Sequence, residues 1–295
     1  MRIVISGSSG FIGTALVESL RKDGHEVLRL VRRPATAQTE VTWDPTKGTL
    51  DTEKLGHVDA IINLAGAGVG DQLWTSKHKK RILDSRIDST NTLVQATLTL
   101  KPSVFINASA IGWYGETGDN KVDESSPNGE GFLAGVVREW EAATKPASDA
   151  GIRTVMIRTG LVMAPKGGAW GRLNPLFKLG LGGRFGSGKQ YWSFVTLADE
   201  LAAIKFILTN SSVSGPVNIT APNPVTNGEI TKAMAKTFKR PAFFHVPAFL
   251  LKLVLGEFSF ELLHSARVIP QKLLDAGFVF ESPDITSATR TLLSS

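Results

Sequence analysis

Cysteine is absent from this chain, and tyrosine occurs only twice among its 295 residues. The lack of cysteine excludes disulfide bonds, thiolate metal ligands and a cysteine nucleophile. No apolar run in the sequence reaches the roughly 18 residues that a membrane-spanning helix needs. The most apolar stretch, residues 246–256, is interrupted by Lys252 and predicts a buried or partner-facing helix. Because the chain opens on a strand pattern and not on a leader peptide, we expect a cytoplasmic protein without a membrane span.

Long runs of one charge are missing as well, although the net charge is +6 and the pI is near 9.5. The densest basic cluster, around Lys79 and Lys80, is typical of a solvated helix face, so nucleic-acid binding is not expected. The five histidines show no metal-ligand spacing, and we predict no metal site. Hydrophobic content of 42% and charged content of 20% are those of an ordinary globular protein.

Five apolar segments alternate with helical patterns over the first half of the chain. Such a rhythm predicts an α/β fold with a doubly wound parallel Rossmann sheet, since parallel strands covered on both faces are continuously apolar. The predicted strands are 3–5, 27–31, 60–64, 104–106 and 155–157, and the predicted helices are 11–22, 77–98, 132–150 and 197–208. After Pro165 the sequence becomes rich in glycine. We therefore predict a Rossmann domain over 1–165 and a smaller, interleaved substrate lobe over 166–295, with segments around 190–220 returning to the Rossmann core.

A glycine-rich turn follows the first predicted strand. Gly7 permits a tight turn, Gly10 lets the backbone approach a pyrophosphate, and Gly13 lets the following helix pack close to the strand. Ser9, Phe11 and Ile12 lie in the same turn and at the start of the helix. A plain strand-to-helix connection would also use glycine, but the position of this turn favours a dinucleotide cofactor.

Two arginines stand where the second strand ends. An NAD site places a carboxylate there to bind the ribose 2′-hydroxyl, whereas Arg32 and Arg33 can form bidentate contacts with a 2′-phosphate. The sequence therefore favours NADP(H), with a solvent-facing arginine pair as the alternative. Asp44 follows the third strand, where it can contact the adenine amino group or start a turn.

Several unusual motifs resemble those of the extended short-chain dehydrogenase/reductase superfamily, and in particular the epimerase family proteins of its subfamily 39U. The superfamily shares the glycine-rich opening and the run from Asn63 to Gly66, which implies cofactor contacts for Ala65 and Gly66. The narrower resemblance rests on Trp43-Asp44-Pro45, Ser85-Arg86-Ile87, residues 109–115, Trp140-Glu141, Arg158-Thr159-Gly160, residues 180–183 and residues 218–225. It implies an NADP(H)-binding Rossmann fold and leaves the substrate undefined.

The resemblance also implies a catalytic Ser, Tyr and Lys, and two of these are missing. Ser109 fits the Ser position, but Phe132 and Val136 fall at the usual Tyr and Lys positions, where neither can exchange a proton. Tyr114 is the candidate replacement acid, with a packing aromatic as the alternative; Tyr191 is the second tyrosine.

Other titratable candidates are expected to be structural more often than catalytic: Glu124, Glu141 and His245. If a substrate binds, Arg158, Lys166 and Lys189 are possible anion contacts.

Two functions remain open at this point. The first is an NADP(H)-dependent oxidoreductase or epimerase-like enzyme acting on an unknown small molecule. The second is a non-catalytic NADP(H)-binding module whose bound cofactor stabilises a shape that a protein partner or a second copy recognises. The glycine-rich and aromatic residues 186–192 favour an occupied cleft, and the missing Tyr and Lys favour the module.

Overall fold

The first buried strand packs apolar side chains on both of its faces. In the computed structural model, which describes residues 1–293, Ile3 and Ile5 face one core cluster and Val4 faces another. The first cluster includes apolar residues of two helices, among them Leu16 and Ile204, and the second includes Leu93 of a third helix. Each fully buried aliphatic side chain contributes about 1.5–3 kcal/mol, so both faces stabilise the sheet.

Within residues 1–293 the strands are β1 Arg2–Ser6, β2 Glu26–Val31, β3 Glu40–Asp44, β4 Thr49–Leu50, β5 Ala60–Asn63, β6 Val104–Ala110, β7 Lys121–Val122, β8 Thr154–Thr159, β9 Leu161–Met163, β10 Gly183–Phe185, β11 Tyr191–Trp192, β12 Phe194–Thr196, β13 Gly215–Ile219, β14 Val225–Thr226, β15 Phe244–Val246 and β16 Arg267–Val268. The α-helices of the same range are α1 Phe11–Lys22, α2 Ser76–Leu100, α3 Phe132–Ala142, α4 Lys145–Asp149, α5 Gly168–Lys178, α6 Leu197–Thr209, α7 Asn227–Phe238, α8 Ala248–Leu255, α9 Ser259–Leu263, α10 Gln271–Asp275 and α11 Ile285–Arg290.

Over residues 1–293 the central sheet has eight strands, in the order β13-β8-β6-β5-β1-β2-β3-β4. All neighbours pair in parallel except β3 and β4, which form an antiparallel hairpin. The predicted doubly wound α/β fold is confirmed. No helix of the described residues is long and apolar enough to cross a bilayer.

The predicted helix 132–150 is wrong in one respect, because it is two helices. α3 ends at Ala142, and the hydroxyl of Thr144 donates to the backbone carbonyl of Glu141 at 2.7 Å. Pro146, which cannot donate a backbone hydrogen bond, lies in the first turn of α4. The chain therefore starts a new helix after Thr144.

In the described part of the chain, four two-stranded sheets lie outside the central sheet: β9 with β12, β10 with β15, β11 with β14, and β7 with β16. A third apolar cluster, which includes Trp170, Trp192 and Met234, packs among them. β13 pairs with β8 at the edge of the central sheet, and α6 packs against α1. The division into two lobes at residue 165 stays a prediction.

Candidate cofactor and active site

The glycine-rich turn is packed too tightly for side chains at two positions. A Cβ at Gly7 would lie 2.4 Å from the carbonyl oxygen of Leu64, and a Cβ at Gly13 would lie 2.2 Å from the carbonyl oxygen of Gly7. Gly7 also has a φ of +66°, which glycine adopts without strain. The turn thus brings the start of α1 directly against the carboxyl ends of β1 and β5.

No side chain among the described residues caps the N-terminus of α1. Gly10 is its N-cap residue, and no acidic residue lies in the first turn. Its free amides and the positive end of the helix dipole therefore face outward, the arrangement that binds phosphate groups. The Phe11 ring contacts Gly167, where an added Cβ would lie 2.5 Å from a ring carbon.

A buried chain of hydrogen bonds aligns the strand ends beside this turn. Ser6 Oγ donates to Asn63 Oδ1 at 2.6 Å, and Asn63 Nδ2 donates to Asn107 Oδ1 at 2.7 Å. Thr90 of α2 donates to the same Asn107 oxygen, and Trp140 Nε1 donates to the Thr90 hydroxyl at 3.0 Å. These hydrogen bonds fix β1, β5 and β6 relative to α2 and α3, so the carboxyl ends of the three strands are held rigidly.

Arg86 is a functional candidate that sequence reasoning missed. Its guanidinium lies beside Gly66, stacks 4.9 Å from the ring centroid of Trp140, and donates to the carbonyl of Ala67 at 3.0 Å. Burial lowers the pKa of Arg86 to about 10, and no carboxylate among residues 1–293 forms an ion pair with it. The motif Ser85-Arg86-Ile87 was the only sequence signal. A half-buried cation without a carboxylate partner beside the glycine-rich turn is suited to an anionic ligand.

The two arginines after β2 have different surroundings. Arg33 donates to both oxygens of the Glu40 carboxylate, at 2.8 and 2.7 Å, and Arg29 contacts the same group. These hydrogen bonds hold the pKa of Glu40 well below its usual range. Arg32 is exposed, and within the described part of the chain it has no hydrogen bond or ion pair. Arg32 is therefore free to meet a ligand, whereas Arg33 holds the loop onto β3.

Asp44 forms a turn. Its Oδ1 accepts from the backbone amide of Thr46 at 3.1 Å and from the Thr46 hydroxyl at 2.7 Å. Of the two roles open to it in the sequence, the structure shows the turn-initiating one.

Ser109 and Tyr114 lie in one buried polar network. Ser109 Oγ donates to Glu141 Oε1 at 2.6 Å, and Arg158 pairs with both oxygens of that carboxylate at 2.8 Å. Arg158 also donates to the Tyr114 hydroxyl at 3.0 Å, and that hydroxyl donates to Asn218 Oδ1 at 2.8 Å. The network joins β6, β8, α3 and β13. It commits both hydroxyls to internal partners.

The environment of Tyr114 opposes loss of its proton. The side chain is 4% exposed, and burial raises the pKa of Tyr114 to about 12 in spite of the nearby Arg158 guanidinium. A phenol with such a pKa is a weak general acid, and its phenolate form is scarcely populated near neutral pH. These observations favour the packing alternative for Tyr114 that the sequence left open.

Comparison with known proteins places these features in a family. The sequence model of the NAD dependent epimerase/dehydratase family matches residues 3–220, and that of a domain of unknown function, DUF1731, matches residues 246–292. An epimerase family protein of Mycobacterium leprae is 44% identical over 287 residues, which cover 97% of this chain and 94% of that protein. The chain belongs to the NAD dependent epimerase/dehydratase family.

A human member of this epimerase/dehydratase family, epimerase family protein SDR39U1, is 32% identical over the full length of both chains. The crystal structure of its isoform 2 with NADPH superposes with a TM-score of 0.92 at 31% identity, covering 100% of this chain and 99% of that chain. The resemblance to subfamily 39U that the motifs indicated is confirmed.

Phe132 and Val136, which the resemblance places at the catalytic Tyr and Lys positions of the epimerase/dehydratase family, lie on α3. The Phe132 ring meets the Trp74 ring edge-on at 5.0 Å, and Lys79 Nζ lies 5.1 Å from its centroid. Lys79 also pairs with Glu257. Val136 is 4% exposed. An aromatic cluster therefore occupies the place where this resemblance puts proton transfer.

The remaining candidates are engaged elsewhere or exposed. Tyr191 packs under the Arg267 guanidinium at 4.4 Å, Glu124 accepts from the backbone amide of Asn218, and a ring nitrogen of His245 lies 2.7 Å from the carbonyl of Gly186. Lys166 and Lys189 are exposed. Among residues 1–293, no group of three or more His, Asp or Glu side chains is placed to hold a metal.

Proposed function

We propose that the protein binds NADP(H) across the carboxyl ends of β1, β2 and β5. The observation that carries this proposal is the uncapped N-terminus of α1, which the packing of Gly7 and Gly13 holds against the sheet. Ser9 and Ile12 lie at the same helix start, and Ala65 and Gly66 follow the carboxyl end of β5. The pyrophosphate would accept from the free amides, and Arg86 adds a half-buried positive charge beside Gly66.

The preference for NADP(H) over NAD(H) is assigned to Arg32. Its guanidinium is exposed at the end of β2 and unpaired within the described residues, while Arg33 is held by Glu40. A 2′-phosphate would form charge-assisted hydrogen bonds with Arg32, and Arg33 acts as a positioning residue for the same loop. The NADPH in the structure of the human relative supports this assignment.

Binding of NADPH and NADH to Arg32→Ala tests the preference, with Lys22→Ala as a matched loss of one exposed charge. We expect Arg32→Ala to weaken NADPH about tenfold to a hundredfold and to leave NADH unchanged, because a hydrogen bond to a charged group contributes about 1.5–3 kcal/mol. Equal losses for both nucleotides would contradict the role of Arg32. If neither nucleotide binds the unmodified protein, the cofactor proposal itself is wrong.

For activity, the proposal is an oxidoreductase or epimerase-like enzyme acting on a small molecule of undefined class. When bound, the nicotinamide would supply or accept the hydride. Ser109 would orient the substrate oxygen, and Tyr114 would donate its proton, provided that the Ser109–Glu141 and Tyr114–Asn218 hydrogen bonds open when substrate enters. Arg158 would still donate to the Tyr114 hydroxyl in that state, and Glu141 would hold Arg158 in place.

The second candidate is a non-catalytic NADP(H)-binding module, favoured by those same internal hydrogen bonds and by Phe132 and Val136. NADPH oxidation over a panel of carbonyl compounds separates the two. Turnover that falls in Tyr114→Phe and persists in Tyr191→Phe supports the enzyme. Nucleotide binding without turnover on any carbonyl compound supports the non-catalytic module. A protein partner, a homo-oligomer and a cytoplasmic location of the protein stay predictions.

A further inference from the structure

The positive charge of the chain is concentrated in two segments, 166–198 and 230–256. These 60 residues carry ten of the 33 lysines and arginines and none of the 27 aspartates and glutamates, so acidic residues outnumber basic ones in the rest of the chain. All ten basic side chains are exposed. The two segments are separated in the sequence, and the fold brings them together.

The two segments form one structural unit. β10 pairs in parallel with β15, so that Gly183 lies opposite Phe244. Arg240 Nε donates to the carbonyl of Lys178 at 3.3 Å, and Gly180 lies against the ring of Pro241. We call the exposed side chains of residues 166–198 and 230–256 the basic face.

The basic face also collects apolar side chains. It holds nine of the fifteen exposed large apolar residues found within residues 1–293. Phe243 is 90% exposed, Leu253 is 79% exposed and Phe249 is 67% exposed. In α8 only Leu251 is buried, so the buried helix that the sequence allowed for this stretch is wrong. Apolar side chains that protrude together to this extent mark an interaction surface.

We infer that the basic face docks peripherally on an anionic lipid bilayer, with α8 lying in the plane of the headgroups. Lysines and arginines of the basic face would meet lipid phosphates and carboxylates, while Phe249 and Leu253 enter the acyl region. An anionic bilayer would thus bind both the basic and the apolar side chains of the basic face. The inference does not depend on the proposed cofactor.

Other occupants fit the surface less well. A second copy would bring two strongly basic surfaces together, which like-charge repulsion opposes. A nucleic acid would neutralise the lysines but would leave aliphatic side chains such as Leu253 and Val254 without an apolar partner. A folded acidic protein would need a separate pocket for each protruding side chain, whereas a bilayer accommodates them without matching pockets.

Flotation of the full-length protein with lipid vesicles tests the inference. We expect binding to phosphatidylcholine vesicles that contain roughly one-third phosphatidylserine, weak binding to pure phosphatidylcholine, and release as the salt concentration rises. Leu253→Asp should weaken binding about tenfold or more, while Val279→Asp, an equally exposed change outside the basic face, should not. Unchanged thermal midpoints show that both variants are folded.

Charge reversal gives an independent arm. Lys239→Glu with Arg240→Glu should weaken vesicle binding about tenfold or more, while Lys22→Glu with Lys121→Glu, the same charge change elsewhere, should have a much smaller effect. Failure to bind the anionic vesicles overturns the inference. The protein could instead bind soluble polyglutamate or duplex DNA as tightly as it binds the vesicles. If Leu253→Asp also abolishes that binding, the lipid inference is overturned in favour of a macromolecular partner. Dimerisation that is lost in Leu253→Asp would overturn it in favour of a second copy.

Discussion

Substitution of Glu200 by glutamine is expected to remove a pH dependence from the stability of the protein. Glu200 is fully buried at the start of α6, and Thr159 donates to its Oε1 at 2.8 Å. Oε2 has no hydrogen-bond partner among the described residues. Burial raises the pKa of Glu200 from 4.5 to about 8, so the folded protein keeps this carboxyl protonated at neutral pH.

The sign of the effect follows from the two pKa values. Below about pH 4.5 both the folded and the unfolded chain hold the proton, and the stability that Glu200 contributes is fully present. Between pH 4.5 and 8 the unfolded chain releases the proton while the folded chain keeps it, so the free energy of unfolding falls as the pH rises. From pH 5 to pH 7 the loss amounts to about 2.5 kcal/mol, since each pKa unit corresponds to about 1.4 kcal/mol.

Urea unfolding at pH 5, 6 and 7 measures this loss directly. Glu200→Gln cannot ionise, so its stability should drop less than that of the unmodified protein, and the gap between the two should change by about 2.5 kcal/mol across this range. Glu18→Gln, at an exposed position of α1, serves as the control and should run parallel to the unmodified protein. Parallel curves for Glu200→Gln would refute a protonated, buried Glu200.

Two further substitutions test the packing of the site. Tyr114→Phe should destabilise the protein by about 1–3 kcal/mol in urea unfolding, because Asn218 Oδ1 loses its buried donor; unchanged stability would contradict the network. Gly13→Ala should abolish the thermal shift produced by NADPH, since its Cβ would lie 2.2 Å from the carbonyl oxygen of Gly7, whereas Gly135→Ala, with no atom closer than 4.0 Å, should bind NADPH normally. A normal NADPH shift in Gly13→Ala would show that the turn relaxes.

The central sheet could be predicted from sequence because its signals are local. Continuous apolar runs mark the buried strands, and the glycine spacing marks the turn between β1 and α1. The strand β13 was missed because Pro216 and Asn218 interrupt its apolar pattern. Its place at the sheet edge is set by pairing with β8, which a sequence pattern alone does not reveal.

The candidate site was predictable only where its residues are neighbours in the chain. Ser109 and Arg158 lie opposite each other because β6 pairs with β8, and Glu141 reaches them from α3. Glu141 is 17 residues from Arg158 and 32 residues from Ser109 in the sequence, so no local motif predicts these two contacts. Likewise, the capture of Arg33 by Glu40 depends on how the loop after β2 folds back, so the sequence treated Arg32 and Arg33 as equivalent.

The bond between Ser109 and Glu141 sets a limit on redesign. Writing Tyr at 132 and Lys at 136 would supply the side chains that the resemblance leads one to expect. Ser109 would still donate its proton to a carboxylate that Arg158 holds in place, so the hydroxyl would not be free to donate to a substrate oxygen. Introducing a working Ser, Tyr and Lys into this protein therefore requires replacing Glu141 and Arg158 together. Replacing one of them alone would leave the other as a buried charge without an ion-pair partner.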